Sequence, residues 1–344
     1  MKRKRKGNRV NKENPFSLNG KRILVLVHKG ADVDAVSAAG ILYHVLGKHN
    51  LVEIAVPEHL NKSAEKLAET MEIPYTMKPD FGSFNTLVIA DLNSYNMLGS
   101  LAGMVRDFKG KKYLFDHHTP AGDSIKANYV FSDEKAASTT ELLWLELKKH
   151  AVKPDETIAL LTATGLLTDS AHFTFVSVNS FWVMAEAMEL AGLPLNEIQK
   201  KFSVKPEYSE RIAVLKAARR SRIFRVGKHV AVTSEVGAFE SQSASAFTKL
   251  GADVAFVAMK EKGMVRVSGR ATMDFAEAFD LDLAKDIFQE LSERFEGEGG
   301  GHVTAAAFTG KSNSPQEVLE ECMSLMLEKI RKKRKRGLDF KEYK

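Results

Sequence analysis

The run Tyr113-Leu114-Phe115-Asp116-His117-His118 is apolar for three residues and then delivers one carboxylate and two imidazoles in succession. A change of that kind at the end of a strand-length segment puts metal-type side chains at the carboxyl edge of a parallel sheet, where open α/β folds form their sites. Three further apolar segments end the same way. Ile23 to Val27 is followed by His28, Asp32 and Asp34, Leu87 to Ala90 by Asp91, and Ile158 to Leu167 by Asp169. Four aspartates with two or three histidines, and no sulfur, make a donor set of oxygen and imidazole. Such a set suits Mn²⁺, with Mg²⁺, Co²⁺ or Fe²⁺ also fitting, better than structural zinc or an all-oxygen calcium cage. Massed carboxylates are costly unless cations offset them. Two cations ~3.5–4 Å apart can share a carboxylate, activate a water and steady both oxygens of an in-line phosphoryl displacement. Hydrolysis of a phosphate ester is therefore the expected chemistry. Any one of these residues alone is more often structural, and His49, His59 and His150 lack comparable surroundings; the repetition over four segments carries the reading.

The elements that must position these groups can be read in order. A strand at Ile23 to Val27 leads through a loop into a helix from Val36 to Leu46. Asp32 and Asp34 are two apart, so both reach one point only if the backbone there is extended or turning. Helix capping is the alternative for either, although it leaves His28 unexplained. A strand at Val52 to Val56, a helix around Ser63 to Met71 and the strand ending in Asp91 follow. Strands alternating with helices from residue 21 to about 130 predict a doubly wound parallel sheet. Ser138-Thr139-Thr140-Glu141 reads as a capped helix N-terminus, whose amides could alternatively hold a phosphate. Another helix starts at Pro154-Asp155-Glu156-Thr157.

The polar stretch Gly192 to Pro206 marks a boundary, and Tyr208 to Arg220 reads as a basic helix joining two domains. Beyond it, Ile223 to Val226, Val230 to Thr233, Val254 to Met259, Met264 to Ser268 and Val303 to Phe308 are strand-like, with helices at Ala244 to Leu250 and Leu283 to Phe295. The expected architecture is α/β: a basic disordered tail over 1–20, a doubly wound domain over 21–194, a linker with a helix over 195–222, and a smaller mixed-sheet α/β domain over 223–330. A basic tail over 331–344 ends the chain, and a cleft is expected between the domains.

At 344 residues and 44% hydrophobic content, two cores are affordable. A single cysteine, Cys322, excludes an intramolecular disulfide and fits a reducing cytoplasm. No run of eighteen apolar residues exists and no apolar segment follows the basic start, so a soluble, cytoplasmic protein without membrane association is expected. The net charge of +6 is uneven: residues 1–13 carry seven Lys/Arg against Glu13, and residues 331–344 carry eight against Asp339 and Glu342. Each end thus nets +6, leaving the body at −6. Solvated tails are the plain reading; arms that neutralise phosphates are the functional one.

These residues resemble the DHH phosphoesterase family, whose name is spelled by Asp116-His117-His118, and the resemblance runs from about Lys21 to Ile330. Its first motif is similar to His28-Lys29-Gly30-Ala31-Asp32-Val33-Asp34-Ala35, its second to Asp91 after a strand, and its fourth to Thr168-Asp169-Ser170-Ala171-His172-Phe173. The likeness implies that His28, Asp32 and Asp91 hold one metal, and that Asp34, Asp91, His117 and Asp169 hold another, with Asp91 bridging two Mn²⁺. It further implies that His118 faces the scissile phosphate while Asp116, from behind, orients a histidine that is a metal ligand. The smaller domain resembles the DHH-associated C-terminal domain through Gly299-Gly300-Gly301-His302-Val303-Thr304-Ala305-Ala306. There the glycine amides and His302 would meet a phosphate, and Arg270 would grip it bidentately. Ala171 and Ala307 stand where relatives often have glycine.

Within the family the compact size is similar to archaeal, RecJ-like or nano-RNase-like exonucleases. That implies removal of nucleotides from single-stranded DNA or RNA, or from short oligonucleotides, in the 3′ to 5′ direction. A helicase or replication or repair protein is the implied partner, and a homodimer the implied assembly. The rivals are a phosphatase for 3′-phosphoadenosine 5′-phosphate (pAp), a cyclic-dinucleotide phosphodiesterase, and an accessory binding protein in a replication or repair complex.

Overall fold

Strand β1 (Arg22–Leu26) sends Ile23 and Val25 into one buried cluster and Leu24 and Leu26 into another. A strand covered on both faces reads as a continuous apolar run, as strands of parallel sheets do. The structure, a computed structural model, describes residues 14–120, 122–333 and 339–343. It divides into two units, Met1–Val204 and Lys205–Lys344. The first is built on a five-stranded, all-parallel sheet of order β2-β1-β3-β4-β5, with β2 at Leu51–Ala55, β3 at Thr86–Ala90, β4 at Lys111–Asp116 and β5 at Tyr129–Ser132. The order reverses between β1 and β3, and the crevice beyond the carboxyl ends at such a reversal is where open α/β sheets bind ligands.

Helices α1 (Val33–Leu46), α4 (Thr139–Lys149) and α5 (Glu156–Asp169) contribute to one apolar cluster. A short 3-10 segment at Tyr95–Leu101 and α3 (Ala102–Asp107) help cover the other face. Between them in the chain come α2 (Lys62–Thr70) and, after α5, α6 (Val178–Ala191) and α7 (Leu195–Phe202). Helices α1, α2, α4 and α5 each start where a side chain supplies an acceptor: Asp32 for Ala35 N, Asn61 for Ala64 N, Ser138 for Glu141 N and Asp155 for Ile158 N.

The second unit opens with α8 (Tyr208–Arg219) and holds a mixed seven-stranded sheet. Its strands are β6 (Arg222–Val226), β7 (His229–Val236), β8 (Val254–Glu261), β9 (Met264–Ala271), β10 (Gly297–Gly301), β11 (Ala305–Lys311) and β12 (Phe340–Tyr343). Their order is β10-β11-β9-β8-β7-β6-β12, with only β7 and β8 parallel. Helices α9 (Glu240–Lys249), α10 (Met273–Phe279), a π turn at Leu283–Phe288 continued by α11 (Gln289–Arg294), and α12 (Pro315–Lys333) complete it. No helix among the described residues is long and apolar enough to cross a membrane.

The architecture is the expected one, a parallel-sheet domain followed by a mixed-sheet domain, and three details differ. Residues 14–20 are not tail: Phe16 is buried and its ring stacks on Phe115 with centroids 6.1 Å apart. The 195–222 stretch is not one linker, because Ile198 and Phe202 of α7 are buried in the first unit's core whereas α8 packs on α9. The C-terminal stretch is partly ordered structure, since Arg331 to Lys333 end α12 and β12 pairs with β6, its Glu342 receiving two bonds from Arg222. The basic run Lys2 to Lys6 lies outside the described residues.

Candidate metal centre

The carboxyl ends of β1, β3 and β4 and the C-terminus of α5 deliver His28, Asp32, Asp34, Asp91, His117 and Asp169 to one place. Three sets of donor atoms lie mutually within 4.8 Å: His28 with Asp32 and Asp91, Asp34 with His117 and Asp169, and Asp91 with His117 and His118. Asp91 and His117 between them join the sets, Asp91 lying 3.7 Å from both His28 Nε2 and His117 Nε2. Asp91 takes a left-handed backbone, φ 63°, immediately after β3, with its N–H donating to Phe115 O. Strain of that kind in a non-glycine residue is held only where surrounding structure fixes it. Asp32 and Asp34 depart from the reading that both sit in loop and reach one point. The helix begins at Val33, Asp32 caps it with extended backbone, and Asp34 lies in its first turn, so the two carboxylates enter different sets.

The imidazoles are oriented for ligation. His28 Nδ1 lies 3.0 Å from Lys29 O and His117 Nδ1 lies 3.1 Å from Ala136 O. A carbonyl partner requires the proton on Nδ1 and leaves the Nε2 lone pair facing the carboxylates, as in histidines that bind metals. His118 differs: its Nδ1 is 2.8 Å from Asp116 Oδ1, so Asp116 orients His118 and not, as expected, a ligand histidine, since His28 and His117 turn Nδ1 to carbonyls. Nε2 is the atom that the half-exposed His118 ring can offer elsewhere.

Behind the carboxylates stands the N-terminus of α4. Thr139 N donates to Asp34 Oδ2 at 2.7 Å, Thr140 N and Oγ1 to Asp34 Oδ1 at 3.2 and 2.6 Å, and Thr139 Oγ1 to Asp91 Oδ1 at 2.8 Å. These amides are thus engaged with a carboxylate and not open to a phosphate, while Ser138 does cap the helix. The positive end of the helix dipole supports the same two anions. Gly165 of α5 completes the fit, for a Cβ there would come within 2.5 Å of Asp34 Oδ1 and 2.6 Å of Thr140 Oγ1. The sequence places Thr139 and Thr140 at a helix N-terminus but not behind Asp34 and Asp91, and it does not single out Gly165, although a glycine inside an otherwise apolar helical run is a signal.

Electrostatically the cluster is frustrated. Burial, reinforced by Asp169, pushes the Asp34 carboxyl up to about 7 against the Thr140 hydroxyl. Asp91 is driven well above the usual range by burial and then by Asp34 and Asp32. Burial alone would lower His117, but Asp169 and Asp34 outweigh it and raise the ring to about 9. Two atoms at the centre, His117 Nε2 and Asp169 Oδ2, are buried without a hydrogen-bond partner although only 3.0 Å apart. Buried polar atoms left in this way are costly, and a divalent cation would satisfy both while offsetting the acidic charge. The residues present fit such an ion.

In the second unit the register places Arg270 of β9 opposite Ala305 of β11, and His302 N donates to Ala305 O across the β10–β11 turn. Arg270, Gly301 and His302 therefore share one end of three adjacent strands. Arg270 donates through Nη2 to Ser241 Oγ, and burial pulls its guanidinium below its ordinary range. The glycine run is an edge strand and not an open loop. A Cβ at Gly299 would fall 2.1 Å from Phe288 O, and Gly301 has φ 141° with Ala305 O 2.5 Å from the Cβ position, while Gly300 meets nothing within 4 Å. Packing thus explains two glycines, whereas a side chain at Gly300 would point into open space. Ala171 takes φ 48° and opens three successive left-handed residues through Phe173.

With this geometry in place, residues 22–166 match the model of the DHH family, N-terminal domain. The first unit carries a DHH family phosphoesterase domain. The likeness to known proteins extends beyond that domain. An uncharacterized protein of Methanocaldococcus jannaschii is 24% identical over 88% of this chain and 92% of its own length. The A-adding tRNA nucleotidyltransferase of Aquifex aeolicus is 25% identical over 86% of this chain but only 34% of its own length, so this chain spans about a third of that protein. Among solved structures, an exopolyphosphatase-related protein from Bacteroides fragilis shares the fold over 91% of this chain and 92% of its own, with a TM-score of 0.66 at 16% identity. The fold of the two units therefore occurs within one chain elsewhere.

Proposed function

We propose that this chain is a two-metal phosphodiesterase that removes nucleotides from the 3′ end of single-stranded DNA or RNA, or finishes short oligonucleotides to mononucleotides. The observation that carries the phosphoesterase part is the pair of orphaned atoms, His117 Nε2 and Asp169 Oδ2, inside overlapping donor sets joined by His117 and Asp91. His28, Asp32 and Asp91 would hold one Mn²⁺; Asp34, Asp91, His117 and Asp169 would hold the other, with Mg²⁺ or Co²⁺ as substitutes. When bound, the ions would supply Lewis acidity, giving a nucleophile from water at neutral pH and offsetting charge on the phosphoryl group.

The chain's own groups do the rest. Thr139 and Thr140 fix the carboxylates, and Asp116 turns His118 so that Nε2 can meet a phosphoryl oxygen or the leaving oxygen. Arg270, His302 and the Gly300 backbone would hold the terminal nucleotide's phosphate. A polymer substrate is favoured by the basic ends of the sequence, which a small substrate would not need.

The test is Mn²⁺-dependent cleavage of 5′-labelled single-stranded DNA and RNA, from dinucleotides to about thirty nucleotides, beside pAp and a cyclic dinucleotide, with His117→Ala as the blank. A ladder shortening from the 3′ end and absent in His117→Ala is expected. Activity confined to pAp, cyclic dinucleotides or dinucleotides would overturn the polymer assignment, and inactivity on all would overturn the phosphoesterase reading.

A further inference from the structure

We infer that Asn93 is a positioning residue for His118, acting through Asp116 and through the backbone of the turn that carries the ring; the inference rests on the phosphoesterase reading for its catalytic consequence. Asp116 is 0% exposed. A carboxylate so buried is tolerated only if both oxygens are bonded. Two side chains divide them: His118 Nδ1 approaches Oδ1 at 2.8 Å, and Asn93 Nδ2 donates to Oδ2 at 2.6 Å. The same amide nitrogen lies 3.3 Å from His118 O and 3.2 Å from Thr119 O. Asn93 thus grips the orienting carboxylate and the main chain of the residue being oriented.

The partners also settle what the amide must be. Its nitrogen faces three acceptors, a carboxylate and two carbonyls, so only the donor end of asparagine satisfies it. An aspartate of the same shape would set a second carboxylate against Asp116. The support behind Asn93 is firm: Ile125 N donates to Asn93 O at 2.6 Å, Ser94 Oγ to Asp123 Oδ1 at 2.6 Å and Asn96 N to Asp123 Oδ2 at 2.9 Å, while Leu92 is fully buried. His118 has no such support of its own. Its side chain is 47% exposed and rests against the His117 ring at 4.3 Å between centroids. Its direction depends on the Nδ1 bond, and that bond depends on where Asp116 is held. The end of β3 therefore serves both sides of the chemistry, Asp91 toward the metals and Asn93, two residues on, toward His118.

The full-length chain with Mn²⁺ gives the test, comparing wild type, Asn93→Ala, Asn93→Asp, His118→Ala and the Asn93→Ala/His118→Ala double variant on a labelled single strand. Asn93→Ala should lower kcat by roughly tenfold to a hundredfold, part of what a positioned proton-transfer group contributes, with KM and Mn²⁺ affinity nearly unchanged. Asn93→Asp should be slower still. The double variant should be no slower than His118→Ala, because groups acting as one unit are not additive. Equal slowing by Asn93→Ala in wild type and in His118→Ala, or loss of Mn²⁺ affinity matching the loss of kcat, would overturn the inference. Should Asn93→Ala not fold, Asn93→Ser with its shorter donor takes its place in the same comparison.

A wild-type chain that cleaves no phosphate ester would sink the phosphoesterase reading but not decide Asn93. The readout is then the histidine ring N–H signals of the ¹⁵N-labelled chain. A protected Nδ1–H signal that disappears in His118→Ala should also be lost in Asn93→Ala; its persistence there would overturn the positioning role.

Discussion

Asp155 shows how a carboxylate outside the cluster behaves. It caps α5 through Ile158 N at 3.0 Å and lies 2.6 Å from His44 Nε2. Burial works against its charge, but the Ile158 amide and His44 outweigh that and hold the carboxyl below the usual range. A folded-state pKa below the unfolded one means that the stabilisation is fully present above the ordinary carboxylate range. It is lost as pH falls through the lower folded value. Asp155→Ala should cost about 1 kcal/mol in urea unfolding near neutral pH, and the gap from wild type should close under acid; a gap unchanged in strong acid would contradict this. The candidate ligands were legible in sequence because each ends an apolar run with a group that is expensive to bury. Thr139 and Thr140 were not, because they act on Asp34 through amides 105 and 106 residues away, and no local pattern reports such a pairing.

At the scale of elements, the approach of α4 and α5 to the first turn of α1 forms the floor of the centre. Gly165 permits it, and Gly165→Ala should push Asp34 or Thr140 aside. Overpacking of that kind costs about 1–3 kcal/mol, and Mn²⁺ affinity should fall at least tenfold in a titration of the folded variant; unchanged affinity would show that the helices yield. The β10 edge strand offers a contrast. Gly299→Ala should destabilise the chain through its collision with the Phe288 carbonyl, while Gly300→Ala, in open space, should leave the thermal midpoint unchanged and weaken substrate binding. Equal thermal shifts in the two variants would contradict the packing account. The glycine run is recognisable in sequence, but pairing with β11 is a long-range event that turns a loop-like composition into a strand.

For the whole molecule, strand and helix alternation made the parallel sheet legible, and the short apolar runs after Arg220 made the mixed sheet legible. What escaped was whatever depends on partners distant in sequence: β12 closing the sheet edge on β6, and Ile198 and Phe202 drawing α7 into the first core. The fold of both units, joined in one chain, recurs in the Bacteroides fragilis structure, so the pairing belongs to the fold and not to this sequence alone. The central claim is that the acidic edge of the first sheet is a two-cation centre organised by Asp91. Counting Mn²⁺ bound per chain by paramagnetic resonance titration tests it most directly. Wild type should take up two ions, His28→Ala should lose one, and Asp91→Asn should lose both. Fewer than two ions in wild type, or two retained by Asp91→Asn, would contradict the account.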